Sequence, residues 1–394
     1  MTVLISDAAF QDTLVRLRRT LHADPEIGLS LPHTQRAVLD ALSGLPLEIT
    51  TGRSSTSVVA VLRGAPGGRA VLLRGDMDAL PVIERTGLPF AASGDAMHAC
   101  GHDLHTAMLV GAAHLLAGQP DLPGDVVFMF QPGEEGDDGA SHMVAEGVLD
   151  AAGRRVDAAF AIHVVSALLP AGFVAGRAGT ALSAADTLLV TVRGAGGHGS
   201  SPHRALDPIP AACEMVTALQ TFVTRSFDVF DPVVVTVGEF HAGTIANVIP
   251  DVATFSATVR SFSREAQARV TSGVTRVCEG IAAAHGLQID AVVEPGYPVT
   301  VNSDDAVSAI RSVVIDTLGA DHWIDQPTPV SGSEDFSRVL DEVPGAMVFL
   351  GATPPGLDPG TAPYNHSPEA VFDDSVLATG AALHRDVAIA MLTG

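Results

Sequence analysis

Short apolar runs separated by segments of helical spacing limit the fold of this chain more than any other feature. The runs fit buried strands of a mostly parallel sheet; they are Ser57–Leu62, Ala70–Leu73, Val126–Phe130 and Ala158–Ile162. Helical spacing is found at Asp12–Leu21, Thr106–Leu116 and Ala140–Leu149. The alternation predicts an α/β domain with a mixed sheet and helices on both faces.

The order of the predicted elements changes after about residue 182. The next strands and helices are, in turn, Asp186–Val192, Pro210–Val223, Pro232–Glu239, Val252–Arg260, Arg264–His285 and Leu287–Val293. This βαββαβ order is that of an α+β ferredoxin-like sandwich. The α/β character returns near residue 297 with Asp305–Leu318, Ala346–Leu350 and a helix from Ser375. We therefore predict an α/β domain over residues 1–182 and 297–394, with an inserted domain over residues 183–296.

The composition excludes several classes of partner. The chain has 394 residues and a formal net charge of -23, which argues against nucleic acids and anionic membranes because both require a positive surface. Cys100, Cys213 and Cys278 are too few for a disulfide framework, which indicates a reducing, cytoplasmic compartment. We expect no signal peptide, and no apolar run approaches the ~18 residues of a membrane span.

Polar clusters follow the predicted strands, which is where open α/β sheets bind ligands. The first contains Asp76 and Asp78, which can orient a histidine, hold a metal or cap a turn. The second has three histidines and Cys100 between His98 and His105. The Cys100-x-His102 spacing can place two zinc-type ligands in one site. Alternatively, Cys100 is a thiolate nucleophile with a histidine base.

Two further clusters carry less information when taken alone. Glu134 and Glu135 follow the run Val126–Phe130. Of two adjacent glutamates, one can bind a metal while the other holds the proton of a metal-bound water. His163 ends the run Ala158–Ile162, and His366 lies in a proline-flanked loop.

The segment Gly194–Gly199 fits the G-x-G-x-x-G pattern of dinucleotide-binding sites. Such a site needs a helix to begin at once, so that its N-terminus holds the pyrophosphate. Pro202, Pro208 and Pro210 follow instead, so the match does not favour nucleotide binding.

Together these motifs resemble the M20 metallopeptidase family, most closely its amidohydrolase branch of hippurate hydrolases, auxin-conjugate hydrolases and N-acyl amino acid amidohydrolases. The resemblance covers nearly the whole chain, through LHADPE, RGDMDALP, MHACGHDLHTAM, FQPGEE, GGHGSSPH, Gly243–Asp251, Ser331–Phe336 and Asn365–Pro368. The combination of MHACGHD with QPGEE is its most specific part.

The resemblance implies a role for each matching residue. The implied metal ligands are Cys100, His102, Glu135, His163 and His366. Glu134 matches the general base, Asp78 the aspartate that orients the site, and His198 a histidine thought to reach the active site, often from the partner subunit. Asn247 and Arg260 match residues that hold the substrate. Asp76 stands where many relatives have a metal-binding histidine, so we do not count it as a ligand.

The expected protein is a dinuclear amidohydrolase that cleaves N-acyl amino acids or related small conjugates with two divalent ions of zinc, manganese, cobalt or nickel. Residues 1–182 and 297–394 would form its catalytic domain, and residues 183–296 its lid and homodimerisation domain. The alternatives are a cysteine hydrolase that uses Cys100 and a non-catalytic metal-dependent binding protein. The sequence does not reveal the acyl group, the amino acid or the physiological metal.

Overall fold

A computed structural model describes residues 7–394, which divide into two units. The first unit comprises the described residues up to Ala181 together with Val301–Thr328 and Asp335–Gly394. The second comprises Leu182–Thr300 and Pro329–Glu334. The absence of a signal peptide is a prediction about the extreme N-terminus, whose residues 1–6 lie outside the described part of the chain.

Two segments belong to a different unit from the one predicted, because residues 297–300 and a later segment both fall in the second unit. Pro329–Glu334 falls within the predicted range 297–394 but packs with the second unit. Hydrogen bonds from Ser183 provide the reason. Its N–H donates to the carbonyls of Val330 and Gly332, each at 3.0 Å. Its hydroxyl donates to the carbonyl of Ser331 at 2.9 Å.

The first part of the chain supplies most of the first unit. Its helices are α1 (Ala8–Ala23), α2 (Pro32–Leu42), α3 (His102–Ala117) and α4 (Gly139–Ala145). Its strands are β1 (Leu47–Thr51), β2 (Val58–Leu62), β3 (Ala70–Asp76), β4 (Asp125–Gln131), β5 (Ala158–Pro170), β6 (Val174–Gly176) and β7 (Gly179–Leu182). Every residue of β3 is buried, which explains why its first four residues, Ala70–Leu73, form a continuous apolar run.

The second unit contains a four-stranded antiparallel sheet and two long helices. Its elements are β8 (Ala184–Arg193), β9 (Gly197–His198), α5 (Pro208–Ser226), β10 (Val233–Ala242), β11 (Val248–Ile249), β12 (Val252–Ser261), α6 (Arg264–His285) and β13 (Gln288–Pro295). The sheet order is β10-β12-β8-β13. Side chains of Asp207 and Ser263 accept backbone N–H groups at the N-termini of α5 and α6, which fixes where these helices begin.

The chain then completes the first unit with β14 (Thr300–Asn302), α7 (Asp304–Leu318), β15 (Trp323–Asp325), α8 (Ser337–Leu340), β16 (Gly345–Thr353) and α9 (Leu377–Thr393). The resulting eight-stranded sheet has the order β1-β2-β4-β3-β5-β16-β6-β15. Its central strands β4, β3, β5 and β16 are parallel to one another. Because β2 and β6 join this centre antiparallel, the sheet is mixed, as the sequence predicts.

The C-terminal helix corrects the expectation that no apolar run approaches the length of a membrane span. Asp374–Thr393 is long and apolar enough to cross a membrane by length and composition alone, and 67% of its most apolar window is buried inside the protein. Glycines allow α9 to pack closely against α3, because a Cβ at Gly380 would collide with Met108 and one at Gly111 with Ala381. This burial is typical of a helix in a protein core.

Candidate metal centre

The candidate site lies where the parallel strands of the first unit end. Asp76 is the last residue of β3 and pairs with Gln131, the last residue of β4. Glu134 and Glu135 follow three and four residues after β4, and Cys100 precedes α3. Because β3, β4 and β5 are neighbours in the sheet, their carboxyl ends bring these chain segments together.

His163 differs from the sequence prediction in one respect. It was expected at the end of a strand, but β5 continues for seven residues beyond it to Pro170. The strand continues because β16 pairs with it beyond His163, as far as Val165 and again at Pro170. His163 therefore projects from within a strand whose backbone is held by a parallel neighbour.

Four of the five predicted ligands, Cys100, Glu135, His163 and His366, are joined by short contacts. Cys100 Sγ lies 3.5 Å from His163 Nε2 and 3.3 Å from His366 Nε2. His366 Nε2 lies 3.2 Å from Glu135 Oε1. The potential donor atoms form two overlapping groups, Cys100 with His102 and His163, and Cys100 with Glu135 and His366, each within 4.8 Å.

His102 supplies the best test of whether the donor set fits a metal ion. Its Nδ1 donates to the carbonyl of Asp78 at 2.9 Å, so Nε2, which lies 3.9 Å from Glu135 Oε1, is the ring nitrogen left for a metal ion. This Nε2 is buried and has no hydrogen-bond partner among residues 7–394. A buried nitrogen without a hydrogen-bond partner costs free energy, and a metal ion bound to this nitrogen would remove that cost. The thiol, imidazole and carboxylate groups gathered here suit zinc-like ions.

Asp78 holds the glutamate loop in place. Its carboxylate accepts the backbone N–H of Glu134 at 3.0 Å and that of Glu135 at 2.9 Å. The same carboxylate lies 3.5 Å from His102 Nδ1. Asp78 therefore contacts a histidine and the backbone of two adjacent glutamates at once.

Asp76 also lies near two histidines, but its oxygens are already engaged. Its Oδ1 accepts from His105 Nδ1 at 2.5 Å, and its Oδ2 accepts from Arg74 at 2.6 Å. The Nε2 of His105 accepts the N–H of Val164 at 2.7 Å, so His105 has no nitrogen left for a metal. Although Asp76, His102 and His105 could hold an ion by proximity alone, these hydrogen bonds favour a supporting role.

Two supporting groups were not identified from the sequence. Arg74 is completely buried and binds Asp335 at 3.0 Å, and Asp335 accepts from Gln131 at 2.8 Å. Asn365 donates to the carbonyls of Cys100 at 3.2 Å and Val164 at 3.0 Å. Two features of the sequence could have identified these groups. Arg74 directly follows an apolar run, and an arginine that is buried requires a partner. Asn365 is next to the predicted ligand His366.

The histidines change the acid–base properties of the thiol. Burial alone would raise the pKa of the Cys100 thiol. The charge of His163 and hydrogen bonds from His163 and His366 outweigh burial and lower this pKa well below its usual range. Hydrogen bonds to Cys100 and Glu135 raise the pKa of His366 to about 10. The site therefore favours a thiolate, the form in which cysteine binds metals.

Two predicted site residues lie together in the second unit. His198 is in β9, which pairs with β11 so that His198 faces Val248 across the ladder. The N–H of Gly199 donates to the carbonyl of Asn247 at 2.8 Å. The side chains of His198 and Asn247 are both exposed, and His198 Nδ1 accepts from Ser200.

Arg260 lies at the other end of this unit. It is the ninth of the ten residues of β12, whose first residue Val252 follows Asn247 by five positions. Arg260 is eight positions after Val252 along the strand, or roughly 26 Å at about 3.3 Å per residue. Arg260 is half-buried and donates to Ser333 Oγ at 3.2 Å. Burial lowers its pKa, although nearby Asp186 opposes the shift.

The fold and the donor set define an α/β protein with a candidate metal centre at the carboxyl ends of its central strands. Comparison with known proteins identifies the family. The profile of peptidase family M20/M25/M40 matches residues 72–390. The chain belongs to this family and is a hydrolase that acts on amide bonds.

Individual relatives cover nearly the full chain. It is 35% identical over 385 residues to thermostable carboxypeptidase 1 of Saccharolobus solfataricus, covering 96% of this chain and 95% of that protein. It is 34% identical over 391 residues to N-acetylcysteine deacetylase of Bacillus subtilis, covering 98% and 99%. The crystal structure of the Bacillus subtilis YXEP protein, described as a dinuclear metal binding peptidase of the M20 family, has a TM-score of 0.85 and 32% identity, with coverage of 98% and 99%.

Proposed function

We propose that this protein is a dinuclear metal-dependent amidohydrolase that cleaves the amide bond of N-acyl amino acids or related small conjugates. The observation that carries the proposal is the pair of overlapping donor groups that share Cys100. The names of the relatives, a carboxypeptidase and an N-acetylcysteine deacetylase, support a small substrate with an amide bond next to an amino acid.

Five residues would hold the two ions: Cys100, His102, Glu135, His163 and His366. When bound, divalent ions of the zinc, manganese, cobalt or nickel type would supply Lewis-acid activation of a water molecule and of the substrate carbonyl. Asp78 would keep the ligands oriented, because it already holds His102 and the backbone of Glu135.

Glu134 is the proposed general base. Its side chain is almost completely buried. One of its carboxylate oxygens lies within 4.8 Å of the atoms of His102 and Glu135 that could bind a metal. Glu134 would take a proton from the attacking water and return it to the leaving nitrogen. The water oxygen bonds to the carbonyl carbon, the C–N bond breaks, and a carboxylate and an amine are released.

The second unit is proposed as a lid that also forms a homodimer. His198 would stabilise the developing oxyanion through its exposed imidazole, with Asn247 beside it. Arg260 would bind the substrate carboxylate. Because roughly 26 Å of strand lies between the two ends of β12, His198 and Arg260 of one chain are too far apart along the sheet to contact one small substrate. We propose that each active site combines residues of both subunits.

A cysteine hydrolase remains the second candidate, because the lowered pKa of Cys100 and its contact with His163 also suit a thiolate nucleophile. The geometry favours it less, since several imidazoles and a carboxylate surround the sulfur instead of one base. A chelator that removes activity reversibly would support the metal mechanism. Resistance to chelation, with inactivation by an alkylating agent, would support the thiolate. A non-catalytic binding role is not favoured, because the chain belongs to a family of hydrolases.

The first prediction concerns metal stoichiometry. We expect protein stripped with a chelator and reconstituted to bind two divalent ions per chain, because five potential ligands form two overlapping groups. Cys100→Ser should lower the occupancy, since a hydroxyl binds these ions more weakly than a thiolate. Elemental analysis after removal of free metal gives both ratios.

Cys213→Ser is the matched control, because Cys213 is an exposed free cysteine on α5 in the second unit. This variant should keep the wild-type stoichiometry. A saturated ratio of one ion in the wild-type protein would contradict the dinuclear mechanism.

A second prediction concerns the free carboxylate of the substrate. Arg260 can present two parallel donors to a carboxylate, which lysine cannot reproduce. We expect kcat/KM for N-acyl amino acids to exceed that for their methyl esters by about one to two orders of magnitude, equivalent to a charge-assisted contact of roughly 1.5–3 kcal/mol. Arg260→Lys should lose most of this preference and retain metal.

Arg193→Lys provides the control for Arg260→Lys. Arg193 lies on β8 of the same sheet, but it is half-exposed and pairs with Asp290 at 3.1 Å. This variant should keep the preference for the free acid. Equal rates on acid and ester in the wild-type protein would show that the substrate is recognised mainly through its acyl end.

A further inference from the structure

A buried group of charges lies behind α3 in the first unit and takes no part in the proposed chemistry. Asp103 Oδ2 lies 2.7 Å from Arg18 Nε and accepts from His22 Nδ1 at 2.8 Å. His22 Nε2 lies 3.2 Å from Glu84 Oε1. These four side chains are at most 1% exposed. Burying charges costs free energy, and pairing them often only offsets this cost. A gain in stability alone therefore does not explain the group.

One side of the group is attached to the first pair of candidate ligands. Asp103 directly follows His102 in the first turn of α3, three residues after Cys100. Gly101 between these ligands has φ +84°, and a Cβ there would clash with Val164. The turn thus packs closely against β5 on one side. On the other side, Asp103 binds Arg18 and His22 of α1.

The other side of the group reaches the loop of His366. Glu84 lies in the long connection between β3 and α3, where its second oxygen accepts the N–H of Ala92 at 2.7 Å. The next residue, Arg85, donates its N–H to the carbonyl of Pro368 at 2.7 Å. His22 therefore connects, through two carboxylates, the segments that carry Cys100 and His366.

The pairing depends on His22 being doubly protonated. Burial would lower the pKa of His22, but the charge of Asp103 and hydrogen bonds to Asp103 and Glu84 raise it to about 9, against opposition from Arg18. The neighbouring His98 remains neutral, because burial lowers its pKa to about 4. At neutral pH, Arg18 and His22 are thus positively charged beside Asp103 and Glu84, and Arg18 also pairs with Asp374 at 3.0 Å.

We propose that His22 is a positioning residue that sets the spacing between the Cys100–His102 turn and the His366 loop, and thereby the affinity of the site for divalent ions. The inference rests on the proposed function, because it assigns these three residues as ligands. His22 makes no contact with the ligands themselves, so it acts through Asp103 and through Glu84 with Arg85.

The test is the affinity of the chelator-stripped protein for Mn²⁺ and Zn²⁺, measured by competition with a chromophoric chelator. We expect His22→Gln to weaken binding by roughly 10-fold, at the lower end of the 10–100-fold typical of groups that support metal ligands. The measurement is made well below the unfolding temperature of every variant, so a purely structural role would leave the affinity unchanged.

His33→Gln is the matched control. His33 pairs with Asp24 at 2.9 Å, the same pair of residue types within 0.1 Å of the His22–Asp103 distance of 2.8 Å, but both side chains are mostly exposed. It should bind metal like the wild type. If His22→Gln does not fold, Glu84→Gln and the charge-balanced His22→Gln/Glu84→Gln variant test the same connection, and each should weaken binding.

The proposal would be overturned by affinities within about twofold of wild type in the folded variants, whatever their thermal stability. Cys100→Ser separates this failure from failure of the proposed function. If Cys100→Ser weakens metal binding and the His22 and Glu84 variants do not, only the positioning role is wrong. If Cys100→Ser has no effect either, the ligand assignment itself is wrong.

Discussion

Replacement of Glu134 by glutamine is expected to lower kcat by about 10²- to 10⁴-fold, the usual contribution of general acid–base catalysis, while metal content stays at the wild-type level. Glutamine keeps the shape of the side chain but cannot take a proton. The backbone of Glu134 is held by Asp78, and this bond does not involve the substituted group, so the loop should keep its position.

Glu135→Gln is the paired measurement, since the two glutamates are adjacent and their N–H groups donate to the same carboxylate. Glu135 lies 3.2 Å from His366 and is the proposed ligand, so its variant should lose metal as well as activity. Elemental analysis and steady-state kinetics on both variants separate the roles. Near-normal kcat in Glu134→Gln would exclude it as the base.

The strands and the segments that carry the ligands could be predicted because each has a local pattern in the sequence. Buried strands such as β3 require apolar side chains on both faces, which leaves a readable run. The combination of Cys100, His102 and two adjacent glutamates is chemically unusual enough to identify, and the structure places these residues within one cluster.

Other features depend on partners far away in the sequence. The position of His163 within β5 is set by pairing with β16, nearly two hundred residues later. Arg74 is buried against Asp335, separated from it by 261 positions. The assignment of Pro329–Glu334 to the second unit depends on its hydrogen bonds with Ser183. No local pattern encodes such contacts, because each depends on how distant segments pack.

Within the second unit, Arg260 lies far from His198 and Asn247, and this distance limits how these residues can form one active site. His198 and Asn247 lie beside each other, joined through the β9–β11 pair and the Gly199 hydrogen bond. Arg260 is near the far end of β12, roughly 26 Å of strand away. A small N-acyl amino acid cannot span this distance. If all three residues contact the substrate, His198 and Asn247 must serve the site of one subunit and Arg260 that of the other.

This arrangement predicts complementation between two inactive variants. His198→Ala should lower kcat by about 10²- to 10³-fold, as expected for loss of one oxyanion donor. When it is mixed with Glu134→Gln and the subunits are allowed to exchange, activity should recover to about one quarter of wild type, because half of the dimers are mixed and each has one intact site.

The control mixture combines Glu134→Gln with Glu135→Gln. Both lesions lie in the same loop of the first unit, so each mixed dimer still has one lesion in every site and should stay inactive. Native mass spectrometry of differently tagged chains establishes that mixed dimers have formed. Recovery only with His198→Ala would show that the histidine acts on the partner's substrate. Absence of recovery in demonstrated mixed dimers would confine His198 to its own subunit, and Arg260 would then have to be removed from the substrate-binding residues of that site.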